Sequence, residues 1–297
     1  SIQQTADGGY IVAGASLSND GDVTGNHGSY DFWVVKLDAT GNISWQKSLG
    51  GSSHDVAYSI QQTADGGYIV AGSSSSSDGD VTGNHGAEDY WVVKLDLSGN
   101  ILWQRSLGGS SNGESARSIQ QTADGGYILA GSSEANDGDV TVNYGGSDWW
   151  IVKLNGIGNI SWQKSLGGSN GESANSIHQT TDGDYILAGF SYSNDGDVTG
   201  NNGSFDYWIV KLGAGVDMQE TIKRNLSAYP NPASDKLVLT SDYLTIGKTY
   251  TISDQLGKVV SKGIISSVPM ELDISTLTNG VYFITTDYAN TAKFIKL

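Results

Sequence analysis

An all-β fold is predicted for this chain by three observations. Its first two thirds are written four times over, each copy alternates short apolar runs with glycine turns, and no segment shows helical periodicity. The text SIQQTADGGYIVAG starts at Ser1 and again at Ser59, SIQQTADGGYILAG starts at Ser118, and SIHQTTDGDYILAG starts at Ser176. A period of 58 or 59 residues held this steadily makes each repeat one supersecondary block that buries its apolar face against its neighbours.

Within a repeat the elements follow in a fixed order. SIQQT reads as a first strand, and the DGG after it is a hairpin signal, because glycine reaches positive φ without strain. YIVAG is the second strand. An Asp/Asn/Gly-rich loop comes next, then DFWVVKLD, whose aromatic and β-branched residues make a third strand. ATGN turns the chain, and ISWQKSLGG is the fourth strand. No proline falls in the repeats; Pro230, Pro232 and Pro269 all lie near the C-terminus.

Four antiparallel strands per repeat is the make-up of a β-propeller blade. Known propeller repeats run to about 40–50 residues, so the surplus here is the acidic loop, an insertion between the second and third strands. The expectation is an incomplete propeller of about four blades over residues 1–212. Trp33, Trp91, Trp150 and Trp208 recur in the third strand, with Trp45, Trp103 and Trp162 in the fourth. That periodicity makes them core between blades, with sugar stacking as the alternative for any that are exposed. The fourth repeat has FDYWIVKL over Phe205 to Leu212 but GAGVDMQETIKRN where GNISWQKSLGG should follow, so residues 213–225 read as a linker. Ser1 opens directly on a first strand, which leaves no spare strand to complete the last blade; further blades are therefore expected upstream.

The acidic loop invites a metal. Asp20, Asp22, Thr24, Gly25 and Asp31 fall at positions 1, 3, 5, 6 and 12 of a twelve-residue window. Calcium takes oxygen ligands from alternate residues of such loops, with glycine at the sharp turn. The second copy has Asp78, Asp80 and Asp89, the third Asp137, Asp139 and Asp148, and the fourth Asp195, Asp197 and Asp206. Against calcium stand the threonine at position 5, an aspartate where glutamate is usual at position 12, and Val142 in place of the third copy's glycine. The alternative is a loop ordered by Asx-turns alone, with no ion.

Composition narrows function. The net charge is −16, and the three arginines (Arg105, Arg117, Arg224) leave no basic patch for nucleic acid. There is no cysteine, hence no disulfide or thiolate chemistry. No apolar run is long enough to cross a bilayer. TADGGY half-matches the Asp-box of sialidase-type propellers, but a sialidase needs an arginine cluster. Residues that break the repeat symmetry, such as His54, Glu88, Glu114, Glu134, Tyr144, Glu172 and His178, form no catalytic pair. The chain therefore reads as a non-enzyme.

After residue 225 the text changes to YPNPASDKL, DQLGKVV, LTNGVYFI and a closing KFIKL. These alternating strands suit a small Ig-like β-sandwich over 226–297. In their order and C-terminal position the four motifs resemble the C-terminal sorting domain of type IX secretion substrates from Bacteroidetes. The resemblance implies export through the outer membrane, with the tail read by the secretion machinery and the cargo released or anchored at the cell surface. A signal peptide would lie outside this sequence. The propeller is then expected to act as a binding or adhesion module for a surface glycan or protein. The alternative is a non-catalytic scaffold of a larger extracellular hydrolase with its catalytic domain upstream.

Overall fold

A computed structural model describes residues 1–110, 113–213, 226–240, 247, 249–255, 258–286 and 291–297. It divides into two bodies, Ser1–Glu220 and Thr221–Leu297. All but Gly213 of the expected linker lies outside the described residues. No helix occurs among the described residues.

The first repeat forms β1 (Ile2–Gln4), β2 (Tyr10–Ser16), β3 (Asp31–Leu37) and β4 (Ile43–Leu49). The second forms β5 (Asp55–Gln62), β6 (Tyr68–Ser74), β7 (Asp89–Leu95) and β8 (Ile101–Leu107). The third forms β9 (Ser115–Gln121), β10 (Tyr127–Ser133), β11 (Asp148–Leu154) and β12 (Ile160–Leu166). The fourth contributes β13 (Glu172–Gln179), β14 (Tyr185–Ser191) and β15 (Asp206–Leu212). Each repeat is one antiparallel sheet with its strands in chain order, as the alternating pattern and DGG hairpins require.

The sheets stack face against face. Phe32, Val34 and Leu49 of the first repeat share a core with Tyr68, Val70, Trp91 and Val93 of the second. Tyr90, Val92 and Leu107 meet Tyr127, Leu129, Trp150 and Val152 in the same way, and Trp149, Ile151 and Leu166 meet Tyr185 and Leu187. A sheet covered on both sides needs apolar residues at every position rather than at alternate ones. Hence DYWVVKL and DWWIVKL are buried along their whole length, while the same strand in the fourth repeat alternates, with Tyr207 92% exposed.

Successive first strands also touch along one edge, where an edge strand would leave its outward N–H groups without partners. The repeat supplies them in advance. Gln3 Oε1 accepts from Gln62 N at 2.7 Å, and Gln62 Oε1 accepts in return from Ala6 N at 2.8 Å. Gln61 with Gln121 and Ala64, and Gln120 with Gln179 and Ala123, repeat the exchange. The serines at the strand starts add a bond each, Ser59 Oγ accepting from Ile119 N and Ser118 Oγ from Ile177 N.

A bulge in the first strand brings backbone hard against one glycine. A Cβ on Gly131 would lie 1.9 Å from Ser115 O, whereas Gly14, its counterpart in the first repeat, has nothing within 4 Å. Gly131→Ala is therefore expected to destabilise the chain by about 3 kcal/mol, the upper part of the range for overpacking. Gly14→Ala should change stability by less than about 1 kcal/mol, since it meets no such contact. Urea midpoints of the two variants check this; similar losses at both sites would show that the close approach does not matter.

The second body is a sandwich of two antiparallel sheets. One contains β16 (Ser227–Tyr229), β17 (Lys236–Thr240) and β20 (Met270–Asp273). The other contains β19 (Val259–Ile264), β18 (Thr249–Asp254), β21 (Gly280–Thr286) and β22 (Thr291–Lys296), in that order across the sheet. Alternate residues from both, including Leu237, Leu239, Ile252, Ile284 and Phe294, form its core.

Candidate functional site

The four acidic loops join β2 to β3, β6 to β7, β10 to β11 and β14 to β15. Their asparagines tie the loop back to the strand it left: Asn26, Asn84, Asn143 and Asn201 donate Nδ2–H to Ser16, Ser74, Ser133 and Ser191 carbonyls at 3.0–3.2 Å. Gly25, Gly83 and Gly200 take positive φ of 80–82° at the corner. In the third copy Val142 stands at that position.

The three aspartates of one loop go to three different places. At the first position, Asp78, Asp137 and Asp195 accept from Ser52, Ser110 and Ser169 backbone N–H groups of the preceding repeat at 2.7–2.8 Å. At the third position, Asp80, Asp139 and Asp197 accept from Gly50, Gly108 and Gly167 N at 3.3 Å, again across the junction. Among the described residues Asp20 and Asp22 make neither bond. At the twelfth position, Asp31, Asp89, Asp148 and Asp206 turn inward and accept from His27, His85, Tyr144 and Asn202 N of their own loop at 2.5–2.8 Å.

The first strands bring a further acid to each junction. Asp55, Glu114 and Glu172 are fully buried beside the twelfth-position aspartate of the preceding repeat. A Cβ on Gly167 would lie 2.1 Å from Asp148 Oδ1 and 2.5 Å from Glu172 Oε2; one on Gly50 would lie 2.5 Å from Asp55 Oδ2 and 2.9 Å from Asp31 Oδ1. Only glycine fits between such carboxyl groups. Sequence reasoning treated Glu114 and Glu172 as breaks in symmetry. The signal it missed is positional: an acid stands four residues before each of Ser59, Ser118 and Ser176.

Glu172 is well supplied, accepting from Gly168 N at 2.8 Å and Ser191 Oγ at 2.7 Å. Its neighbour is not: Asp148 Oδ1, like Asp31 Oδ1 and Asp89 Oδ1, is buried and accepts no hydrogen bond. Burial, with the charges of Glu172 and Asp197 adding to it, pushes the Asp148 carboxyl up to about 6. Burial also raises Asp55, Asp89 and Asp139. In the first two repeats the imidazoles of His27 and His85 lie 2.7 and 2.9 Å from Asp31 and Asp89; Tyr144 replaces them in the third.

The arrangement thus separates a loop's own carboxylates and pairs acids from adjacent repeats. No group of three or more His, Asp or Glu side chains among the described residues is gathered for a metal ion. What reaches solvent is the tip of each loop: Asp20, Thr24 and His27, Asp78, Thr82 and His85, Asp137 and Tyr144, and Asp195, Thr199 and Asn202 are exposed. Trp91, Trp149 and Trp150 are fully buried and offer no platform, while Trp33, Trp45, Trp103, Trp162 and Trp208 are half-buried. In the fourth repeat the exposed Tyr192 and Phe205 cluster with the half-buried Phe190, their rings 5.3–5.7 Å apart.

Residues 227–297 match the family described as the secretion system C-terminal sorting domain. No curated protein matches the chain. Among solved structures, PorZ, a surface component of the type-IX secretion system of Porphyromonas gingivalis, is 12% identical with a TM-score of 0.32 over 100% of this chain. This chain spans 38% of the length of PorZ. Sqt1 from Chaetomium thermophilum is 14% identical with a TM-score of 0.34, covering 99% of this chain and 67% of Sqt1. A GH43_12 protein from a capybara gut metagenome is 9% identical with a TM-score of 0.36, covering 97% of this chain and 75% of that one. The sorting domain makes this a secreted or outer-membrane-attached protein. No helix among the described residues is long and apolar enough to cross a membrane.

Proposed function

We propose that the repeats form a non-enzymatic binding module, presented at the cell surface, whose ligand is a surface glycan or protein. The observation that carries this reading is the way the loops are held. In the last three loops carboxylates and amides are committed to backbone groups of two repeats, and the first loop is tied to its own repeat, which fixes four similar polar tips in place before any ligand arrives. Preorganised tips lose little freedom on binding, and several weak contacts on one body combine through effective concentration. The junction acids are fully buried, which suits a structural part and offers no substrate access.

Calcium at Asp20, Asp22, Asp31 and their counterparts is the alternative reading of the loops, and the same experiment tests it. The full chain is applied to arrays of surface polysaccharides and outer-membrane proteins, in calcium and again in excess chelator. Retention is expected to fall stepwise when His27, His85, Tyr144 and Asn202 are replaced one after another by serine. It should not depend on calcium, because the aspartates of one loop already serve separate backbone partners. Loss of retention in chelator would assign the loops to calcium. Turnover of a polysaccharide by a longer form of the protein, with no retention by this chain, would favour the scaffold of a hydrolase.

A further inference from the structure

The first strands of the second, third and fourth repeats each carry one residue more than the strand beside them. Ala57 pairs with Gly72 and Ser59 with Ala71, which leaves Tyr58 with no residue opposite. Arg117 and Asn175 are the extra residues of β9 and β13 in the same way. A bulge of this kind re-aims one side chain, and such bulges gather beside functional sites. Here the three lie along the edge where β5, β9 and β13 meet.

Their column is unlike those around it. In all three repeats an alanine stands before it and Ser-Ile after it, while the column itself holds tyrosine, arginine and asparagine in turn. Stacking explains why the flanks are identical. The alanines and isoleucines are buried, and Ser59 and Ser118 each accept from the next first strand at 3.2 Å. No such demand falls on the column: Arg117 and Asn175 are exposed and Tyr58 is half-buried.

The polar ends in this column are also uncommitted. Elsewhere in the repeats asparagine amides tie loops to strands, and Lys36, Lys94, Lys153 and Lys211 sit in ion pairs with hairpin aspartates. Among the described residues, the side chains of Tyr58, Arg117 and Asn175 make no hydrogen bond or ion pair. The Arg117 guanidinium lies instead over the ring of Tyr58, its Cζ 4.1 Å from the centroid. That contact holds the group in place while its N–H donors remain unused. A donor fork held in this way has less freedom to lose when it meets a carboxylate. The repeat step that carries Tyr58 to Arg117 also carries Arg117 to Asn175. The bonds joining β9 to β5 and β13 to β9 are alike, 3.2 Å at the serines and 2.6 and 2.7 Å at the glutamines.

We propose that Tyr58, Arg117 and Asn175 form the recognition point for an acidic saccharide, with the Arg117 fork on the carboxylate of a uronic acid residue. The Asn175 amide and the Tyr58 hydroxyl then serve the hydroxyls next to it. This rests on the binding module proposed above and names the class of its ligand. In a chain of net charge −16, an arginine with no acid paired to it is a local exception, and its planar fork matches a carboxylate. The alanines beside the column are buried, so the column offers a peptide no outward apolar neighbour, and its three polar ends suit a hydroxylated ligand.

Titration of the full chain with galacturonate and mannuronate hexamers tests this, with their methyl esters and a neutral hexose hexamer alongside. At least one acid is expected to bind about tenfold more tightly than its ester or the neutral sugar. Arg117→Lys keeps the charge but loses the fork, and should weaken binding by about tenfold with the melting temperature unchanged. Arg117→Gln should weaken it further. Arg105→Gln removes the same charge from β8, where Arg105 lies over Trp103, and should leave binding unchanged. Equal losses in the two glutamine variants would reduce the effect to net charge and overturn the proposal. So would binding that ignores esterification, no binding of either acid, or Arg117-dependent retention of acidic peptides in place of the sugars. If arrays still hold the chain through its loop tips while Arg117→Gln changes nothing, this inference fails and the binding module stands.

Discussion

Trp150→Ala lowers the unfolding free energy of the repeat body by about 3–5 kcal/mol, the range for deleting a buried large aromatic side chain. Trp150 has no exposed surface, its ring lies 4.7 Å from that of Tyr90, and Tyr90 Oη donates to its carbonyl at 3.0 Å. Truncation would open a cavity on the junction of the second and third repeats and leave Gln163 without its indole partner. The repeat provides its own control, because Trp33 holds the same place in the first repeat yet is only half-buried. Trp33→Ala should cost about half as much or less, in proportion to the apolar area removed from water. Urea unfolding followed by circular dichroism measures both. Equal losses would mean that stacking between repeats contributes little, and each sheet is held within itself.

The second large effect is on pH. Melting temperature should rise, not fall, as the solution is taken from pH 7.5 to about 5. The sign follows from the raised carboxyls at the junctions. A carboxyl whose folded value lies above its unfolded one holds its proton better in the native state. Asp148, raised from 3.8 to about 6, therefore adds stability that is complete below about pH 4 and is lost as pH rises through 6. At about 1.4 kcal/mol per pH unit of displacement, it is worth roughly 2–3 kcal/mol between those limits. The hairpin aspartates act in the opposite sense at lower pH. Asp38, Asp124 and Asp182 are held near 2 by neighbouring hydroxyl, amide and lysine donors, and what they contribute is lost as pH falls from about 4 towards 2. The optimum thus lies between about pH 4 and 6. Asp148→Asn, which keeps the shape and removes the charge, should be more stable than the parent at pH 7.5 and show a flatter profile. A parent whose melting point falls steadily below pH 7 would show that these acids carry their charges without penalty.

Most of the fold was legible because repetition averages over local ambiguity. A hairpin signal read once is weak; DGG read at Asp7, Asp65 and Asp124 is not. The tail was legible for a different reason, its motifs standing together at the C-terminus. The candidate site was legible only as a set of conspicuous residues. A spacing rule within one loop points Asp78, Asp80 and Asp89 at a common centre, but their hydrogen bonds go to Ser52 N, Gly50 N and His85 N. The partners that matter, Asp31 with Asp55 and Asp148 with Glu172, are 24 residues apart in the chain and face each other across a junction. Comparing the repeats column by column shows the acid before each first strand; reading one loop in isolation does not.

The paired glutamine exchange along the first strands has a consequence for how such a chain changes length. Each junction is coupled by the same reciprocal contact, and the second and third repeats carry both halves of it, one looking back and one looking forward. An unequal crossover that inserts or removes one whole period would therefore bring together a matched coupling on the first attempt, with no compensating substitution. Copy number in this architecture is free to drift like the links of a chain, and selection has only to preserve the link.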